Sequence, residues 1–413
     1  MSRRFPLVLA ALLLCSLPAV AVSGPVGPAA EPAVGGPTGA QAAVDAGSID
    51  WLTLSDGPAA SGEGYVVIDL GAALDDDSNR LEARYADHRI DARMENAGSD
   101  AERRAIIREE ASRLGESIAR LRERERTAYV EYYEGERSER ELLAELAVVH
   151  TNAAVLDESV TSLEGHAAAT PGVSLSSELE AMEVETRTMQ GPVRDRVAEM
   201  LHGEAEPARV HVETDGEGVV LALVDGDRFY REAYRPGNRD PEADPQYTSL
   251  GQSEDRIAEL YPSIFSEARW SYSEVGYGTH RGTGTHSQGS LTVFLDTGTG
   301  DVYREFQTLR LDRLDTVTAV EETRAGVTVT VGRTVPGGPA TVTLTDAETG
   351  APLSGEVTLN GRSVGETDDG TVWFVAPREP VTGEATVGST TIEFEVAEGT
   401  ASQGTARAVD EGS

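Results

Sequence analysis

The chain has 413 residues, of which 71 are acidic and 35 basic, for a formal net charge of −36. That length exceeds one ordinary hydrophobic core and predicts roughly two to four domains. Every basic residue is arginine, and so acidic a surface repels nucleic acid and anionic membranes, which excludes both as expected partners.

Such a charge strains a compact fold in dilute buffer. At molar salt the Debye length falls to about 3 Å and the self-repulsion largely disappears. The lysine-free, acidic composition therefore points to a protein that works in concentrated salt. A hydrophobic fraction of 39% separates it from acidic disordered chains.

Residues 1–21 have the three parts of an export signal: Arg3 and Arg4, an apolar run from Leu7 to Leu17, and the small-x-small site Ala19-Val20-Ala21. The chain is thus expected outside the cell or on the outer face of its envelope, with the signal cleaved or kept as an anchor. Cys15, the single cysteine, lies inside the apolar run, so cleavage after Ala21 leaves no thiol and excludes disulfide or cysteine chemistry. Residues 22–48, rich in Pro, Gly and Ala, read as a disordered tether.

A unit at 49–190 combines a strand with a helical hairpin. Tyr65-Val66-Val67-Ile68-Asp69-Leu70 is the candidate strand, and a helix is expected around 78–95. Asp75, Asp77 and Asn79 mimic the start of a calcium loop, but Arg80 and Ala86 occupy the positions that need Gly and Glu. The segment reads instead as a helix N-terminus. Ser99-x-x-Glu102 opens the first long helix, with Ile107, Ala111, Leu114, Ile118, Leu121 and Ala128 in 4-3 steps and Glu125 as the one break. Ser138-x-x-Glu141 opens the second, with Leu142, Leu146, Val149, Ala153, Leu156, Val160 and Leu163. The two seams are expected to bury each other in an antiparallel coiled-coil hairpin, because local closure costs least entropy.

Residues 191–314 contain an internal repeat, with copies at about 191–236 and 252–312. DRVAEML at 195–201 matches DRIAELY at 255–261, and Ala208-Arg209-Val210 matches Ala268-Arg269-Trp270, both at an offset of 60. The offset then grows to 71 between Asp225 and Asp296, and to 73 between Tyr230 and Tyr303. Each copy reads as a helix, a strand and a strand–turn–strand hairpin. Alternation places Tyr and Glu of each Tyr-Arg-Glu on one face and Arg on the other, a duplicated structural strand.

The second copy carries 11 extra residues, and GYGTHRGTGTH at 276–286 falls within them. It reads as a mobile contact loop in which both histidines are replaceable without harm to folding. His280 and His286 are the candidate metal ligands, but two are fewer than the three or four that a site needs. No catalytic, cofactor or metal residue is therefore assigned, and no enzyme activity is expected.

Residues 317–397 alternate in short strands at 327–331, 340–344, 357–359, 371–375 and 391–396, separated by Gly, Asp and Pro turns such as TDDG at 367–370. This predicts a β-sandwich. Residues 398–413 form a polar, disordered tail. The fold class expected is multidomain α+β: helical hairpin, tandem α+β units, all-β sandwich.

The helix ending in LYP, the strand and the apolar strand entering Asp296-Thr-Gly-Thr-Gly-Asp-Val302 resemble the PepSY module. GPVRDRVAEMLHGEA, VLALVDGDRFYREAYR, LTVFLDTGTGDVYRE and TVPGGPATVTLTDAETGAP resemble a family of exported haloarchaeal proteins without assigned activity. The segment from Leu344 to Pro377 resembles Ig-like carboxypeptidase-regulatory or prealbumin-like modules, which act as spacers or interaction domains. These resemblances imply a non-catalytic extracellular or cell-surface protein that binds protein or envelope components. The alternative they imply is a regulator or inhibitor of an exported peptidase acting through the PepSY-like units. A hydrolase using scattered carboxylates is a third, remote expectation.

Overall fold

The computed structural model describes residues 51–55, 57–334, 337–367, 369–376 and 380–396, with backbone only at 75, 76, 79, 82, 83, 86 and 87. The expected export signal, tether and tail lie outside these residues, as does the Asp368 turn position. All the described residues belong to one compact unit.

The first strand, β1 (Ala60–Val66), starts and ends earlier than the sequence suggests: of the expected strand only Tyr65 and Val66 belong to it, and Asp69 caps α1 (Leu70–Asn96). The Asp69 carboxylate accepts from the amides of Gly71 and Ala72, so the helix begins more than a turn before the acidic run. Residues 75–79, read as a helix start, therefore lie inside α1.

Helices α2 (Asp100–Tyr133) and α3 (Glu139–Ala169) form the hairpin. Ser138 and Glu141 complete a reciprocal capping box, whereas Glu102 reaches back to the amide of Gly98 and leaves that of Ser99. Ile107, Leu114 and Ile118 of one seam bury against Val149, Ala153 and Val160 of the other. A helix that the sequence reading missed, α4 (Ser176–Thr188), adds Leu179 and precedes α5 (Pro192–His202).

The repeats build one antiparallel sheet. The first copy supplies β2 (Ala208–Thr214), β3 (Val219–Asp225) and β4 (Arg228–Tyr234). The second supplies α6 (Leu250–Leu260), α7 (Pro262–Glu267), β5 (Arg269–Gly276), β6 (Thr279–His286), β7 (Gly289–Asp296) and β8 (Val302–Arg310). The strand order is β1-β2-β3-β4-β8-β7-β6-β5, so the two copies join through β4 and β8, and β1 extends the first copy's edge.

Here the copies differ. Val193 and Val197 of α5 pack with Val210, Leu221 and Leu223 on the face that carries the helical hairpin. Ile257 of α6 packs with Leu291, Val293 and Leu295 on the opposite face. Helices matched in sequence thus cover different sides of the sheet.

The GYGTHRGTGTH stretch is not a mobile connection. Gly276-Tyr277-Gly278 is a tight hairpin turn with all three residues at positive φ, and Thr279–His286 is a strand inside the sheet. Gly282 and Gly284 sit beneath the β5 rings: a Cβ on Gly284 would come within 2.8 Å of Trp270, and one on Gly282 within 3.2 Å of Tyr272. Glycine serves here because aromatic rings lie flat on the strand.

The C-terminal region has two four-stranded sheets. One runs β14-β11-β10-β9, using β9 (Val317–Arg324), β10 (Val327–Arg333), β11 (Pro339–Asp346) and β14 (Thr371–Val375). The other runs β13-β12-β15-β16, using β12 (Glu356–Leu359), β13 (Arg362–Glu366), β15 (Val381–Val387) and β16 (Thr390–Val396). Their inner faces share Val329, Val331, Val342, Leu344, Val357 and Phe394, the β-sandwich read from the alternating strands. Val375 and Trp373 of β14 pack with Phe229 and Leu309 on the large sheet's α6 face.

Candidate functional site

The repeated Tyr-Arg-Glu occupies the seam between the copies. In β4 the alternation holds: Glu232 points to the hairpin face and Arg231 to the α6 face. In β8 it fails. A bulge opposite Phe294 and Leu295 inserts one residue, so that Tyr303 and Arg304 both reach the hairpin face and Glu305 the other. Unbroken alternation from Tyr303 would put Arg304 on the face of Arg231 and Glu305 on that of Glu232; the β4–β8 ladder itself is regular, with Arg231 opposite Gln307 and Glu232 opposite Phe306. With the bulge just before Arg304, the regular ladder makes two complementary diagonal pairs. Arg231 Nη1 donates to Glu305 Oε1 at 2.8 Å on one face, and Arg304 Nη2 lies 3.4 Å from Glu232 Oε1 on the other.

Each pair is embedded further. Glu305 Oε2 accepts from the Leu52 amide and the Tyr261 hydroxyl, both at 2.7 Å, while Arg231 donates to the Leu52 carbonyl and stacks on Trp51. On the hairpin face Glu232 accepts from Arg194 at 2.8 Å and from the Val193 amide at 3.1 Å, next to the N-terminus of α5. Arg194 continues to Glu125 at 2.5 Å and to the Tyr129 hydroxyl at 2.7 Å. Glu125, the break in the α2 seam, is therefore the hairpin's anchor to the sheet. Arg122 links Glu125 to Glu185 of α4, which also holds Arg239.

Arg194, Arg304, Glu125 and Glu232 are wholly buried. Burial by itself would raise the Glu125 carboxyl, but the Arg194 and Arg122 charges beside it hold it below the usual carboxylate range. Burial lowers Arg304, with Glu232 opposing. Its Nε and Nη1 have no hydrogen-bond partner among the described residues; the guanidinium carbon stands 4.9 Å from the Phe306 ring centre and 5.6 Å from that of Tyr234. Burial pushes the Tyr303 hydroxyl up to about 12.

Over this network opens a recess of about 330 Å³, bounded by Arg122, Glu125, Arg126, Tyr129, Tyr234 and Pro236. Arg122, one of the residues that line it, has its guanidinium already committed to Glu125, Glu185 and Thr188.

The two candidate metal ligands are not brought together as a site. His280 is buried, its Nδ1 2.6 Å from Ser253 Oγ and its Nε2 3.8 Å from Glu274 Oε1. Ser, His and Glu in that order resemble a nucleophile relay. Ser253, however, is fully buried on α6, where no substrate reaches its hydroxyl, so the contact pins α6 to β6. Burial lowers His280, with Glu274 opposing, and burial also lowers His286. Among the described residues no group of three or more His, Cys, Asp or Glu could hold a metal ion.

One surface feature stands apart. Of the nine large hydrophobic side chains exposed among the described residues, six fall between Tyr65 and Tyr85. Leu70, Leu74, Leu81 and Tyr85 are each 66–70% exposed and lie along one side of α1, while Ile90 and Met94 on its other side are buried in the helical core. Their 4-7-4 spacing was legible, yet the sequence reading placed the helix start too late to see it.

Residues 1–206 match a domain of unknown function (DUF7096), residues 210–315 a family of unknown function (DUF7094), and residues 318–394 an archaeal fibronectin-III type-like domain. The last agrees with the Ig-like sandwich. No curated protein and no solved structure matches the chain.

Proposed function

We propose that this is a non-catalytic, exported haloarchaeal protein that binds other protein or envelope components outside the membrane. The exposed apolar side of α1 carries the reading. Apolar side chains gathered on one exposed side of a helix mark an interaction surface. The inner side is covered by the hairpin, which leaves Leu70, Leu74, Leu81 and Tyr85 for a partner. The charged groups of the repeat are spent on one another, which favours a scaffold over a reaction centre. The fibronectin-III-like region and the PepSY-like course from α6 to β8 fit the same role.

The test is a crosslinked pull-down from intact cells in high salt, comparing the parent chain with a Leu74→Glu/Leu81→Glu variant. The reading expects a defined partner that the variant loses. Equal recovery by both chains contradicts it. Recovery of a peptidase whose activity falls on adding this protein selects the regulator reading. Turnover that survives purification and vanishes on a single carboxylate substitution overturns the non-catalytic assignment.

A further inference from the structure

We infer that the recess over Tyr234 is a binding site for a small carboxylate with an apolar body. The inference is independent of the proposed partner-binding role.

The buried ion pairs set the sign of the ligand. They form one chain of alternating charge: Arg304, Glu232, Arg194, Glu125, Arg122, Glu185 and Arg239. Four guanidinium groups meet three carboxylates, so the chain holds one surplus positive charge and has arginine at both ends. Each carboxylate is held by two arginines. The two end arginines are the under-partnered ones: Arg304 Nε and Nη1, and Arg239 Nε and Nη2, are buried with no hydrogen-bond partner among the described residues. A unit charge in such low-dielectric surroundings acts strongly on nearby ions, attracting an anion and repelling a cation.

Tyr234 brings this charge to the recess. The guanidinium carbons of Arg122 and Arg304 stand 5.3 and 5.6 Å from its ring centre, and the Arg239 charge also reaches its hydroxyl. The side chain is only 7% exposed, yet among the described residues its hydroxyl has no hydrogen-bond partner. Burial raises its pKa above the ordinary 10, so the phenol keeps a proton to donate. Tyr234 lines the recess, and a carboxylate oxygen there satisfies the hydroxyl.

The recess suits a small molecule. Its volume of about 330 Å³ lies where the helical hairpin meets the sheet, and Tyr129, Tyr234 and Pro236 give it apolar walls. Arg126, also in the lining, is exposed and paired among the described residues only with Glu123 at 3.8 Å, so its guanidinium is free to turn to a ligand. Glu217 opposes an anion, but it is exposed and molar salt screens it.

The test titrates the full chain in molar sodium chloride with benzoate, benzamide and benzamidine, followed by calorimetry. The three share a ring and differ in charge. Benzoate is expected to bind in a one-to-one ratio, and the other two to give no saturable heat. Tyr234→Phe keeps the shape, removes the donor and is expected to weaken benzoate about tenfold. Arg126→Gln is expected to weaken it without lowering the denaturant midpoint. Glu185→Gln lies outside the recess and raises the surplus from one charge to two. It is expected to tighten benzoate, which a merely structural role does not produce. Equal binding of benzamide, a preference for benzamidine, or no benzoate binding overturns the site. So does unchanged affinity in Tyr234→Phe, or weaker binding in a folded Glu185→Gln chain.

Discussion

Arg231 and Glu305 meet at 2.8 Å across β4 and β8, and each comes from a different copy of the same Tyr-Arg-Glu. Arg231 stands opposite Gln307 in a regular ladder and reaches Glu305 diagonally, while the bulge before Arg304 breaks the alternation that Tyr303 would otherwise impose. Removing one partner strands a buried charge, a loss of about 3–5 kcal/mol. Glu305→Leu and Arg231→Met are each expected to lower the denaturant midpoint sharply. The double variant is expected to recover much of that loss, measured as a double-mutant cycle at fixed high salt.

Glu125→Leu repairs the apolar pattern of α2 and should still weaken the protein. It leaves Arg194 without the carboxylate at 2.5 Å, again a loss of about 3–5 kcal/mol. Glu125→Gln keeps the shape and should cost less. Thermal or chemical unfolding of the two variants distinguishes an anchor from a mere interruption of the seam.

These residues show how far the sequence could be read. The hairpin was legible because Ile107 to Ala128 and Leu142 to Leu163 keep a period that only helices satisfy. The break at Glu125 was visible, but its partner Arg194 lies 69 residues away, and local pattern says nothing about such pairs. The β8 bulge left only a two-residue change of offset, which a longer turn explains equally well. In β6 the alternation of Thr279, Arg281, Thr283 and Thr285 with His280, Gly282, Gly284 and His286 was a strand signal. Its glycines masked it, because their cause is two aromatic rings on the neighbouring strand. Which face α6 takes follows from the whole sheet.

His280 is buried against Ser253, so replacing it cannot be neutral as a mobile loop would allow. Ser253→Ala leaves Nδ1 of His280 without this partner and is expected to cost about 1–3 kcal/mol. Because the folded pKa is depressed below its ordinary 6.5, the stabilisation is complete above that pH. It is lost as pH falls through the folded value. His280→Gln should flatten that part of the stability profile in denaturant titrations at stepped pH.

Glu185 sits between Arg122 and Arg239. Burial opposes ionisation, but the two guanidinium charges prevail and hold the carboxyl below its ordinary 4.5. Its contribution is therefore present above that value and disappears as pH falls through the lower, folded one. Acid unfolding of Glu185→Gln should begin from a lower stability at neutral pH and show a shallower decline below about pH 4.5.

The central claim is that something covers the outer side of α1 where the protein works. Leu74→Cys and Val317→Cys, each in the Cys15→Ser chain, place thiols at two positions that are 66% and 76% exposed in the single chain. Maleimide labelling rates in intact cells, compared with those of dilute purified protein in low salt, read the cover directly. The account predicts that labelling at 74 slows several-fold in cells relative to labelling at 317. Equal rates at the two positions in cells would contradict it.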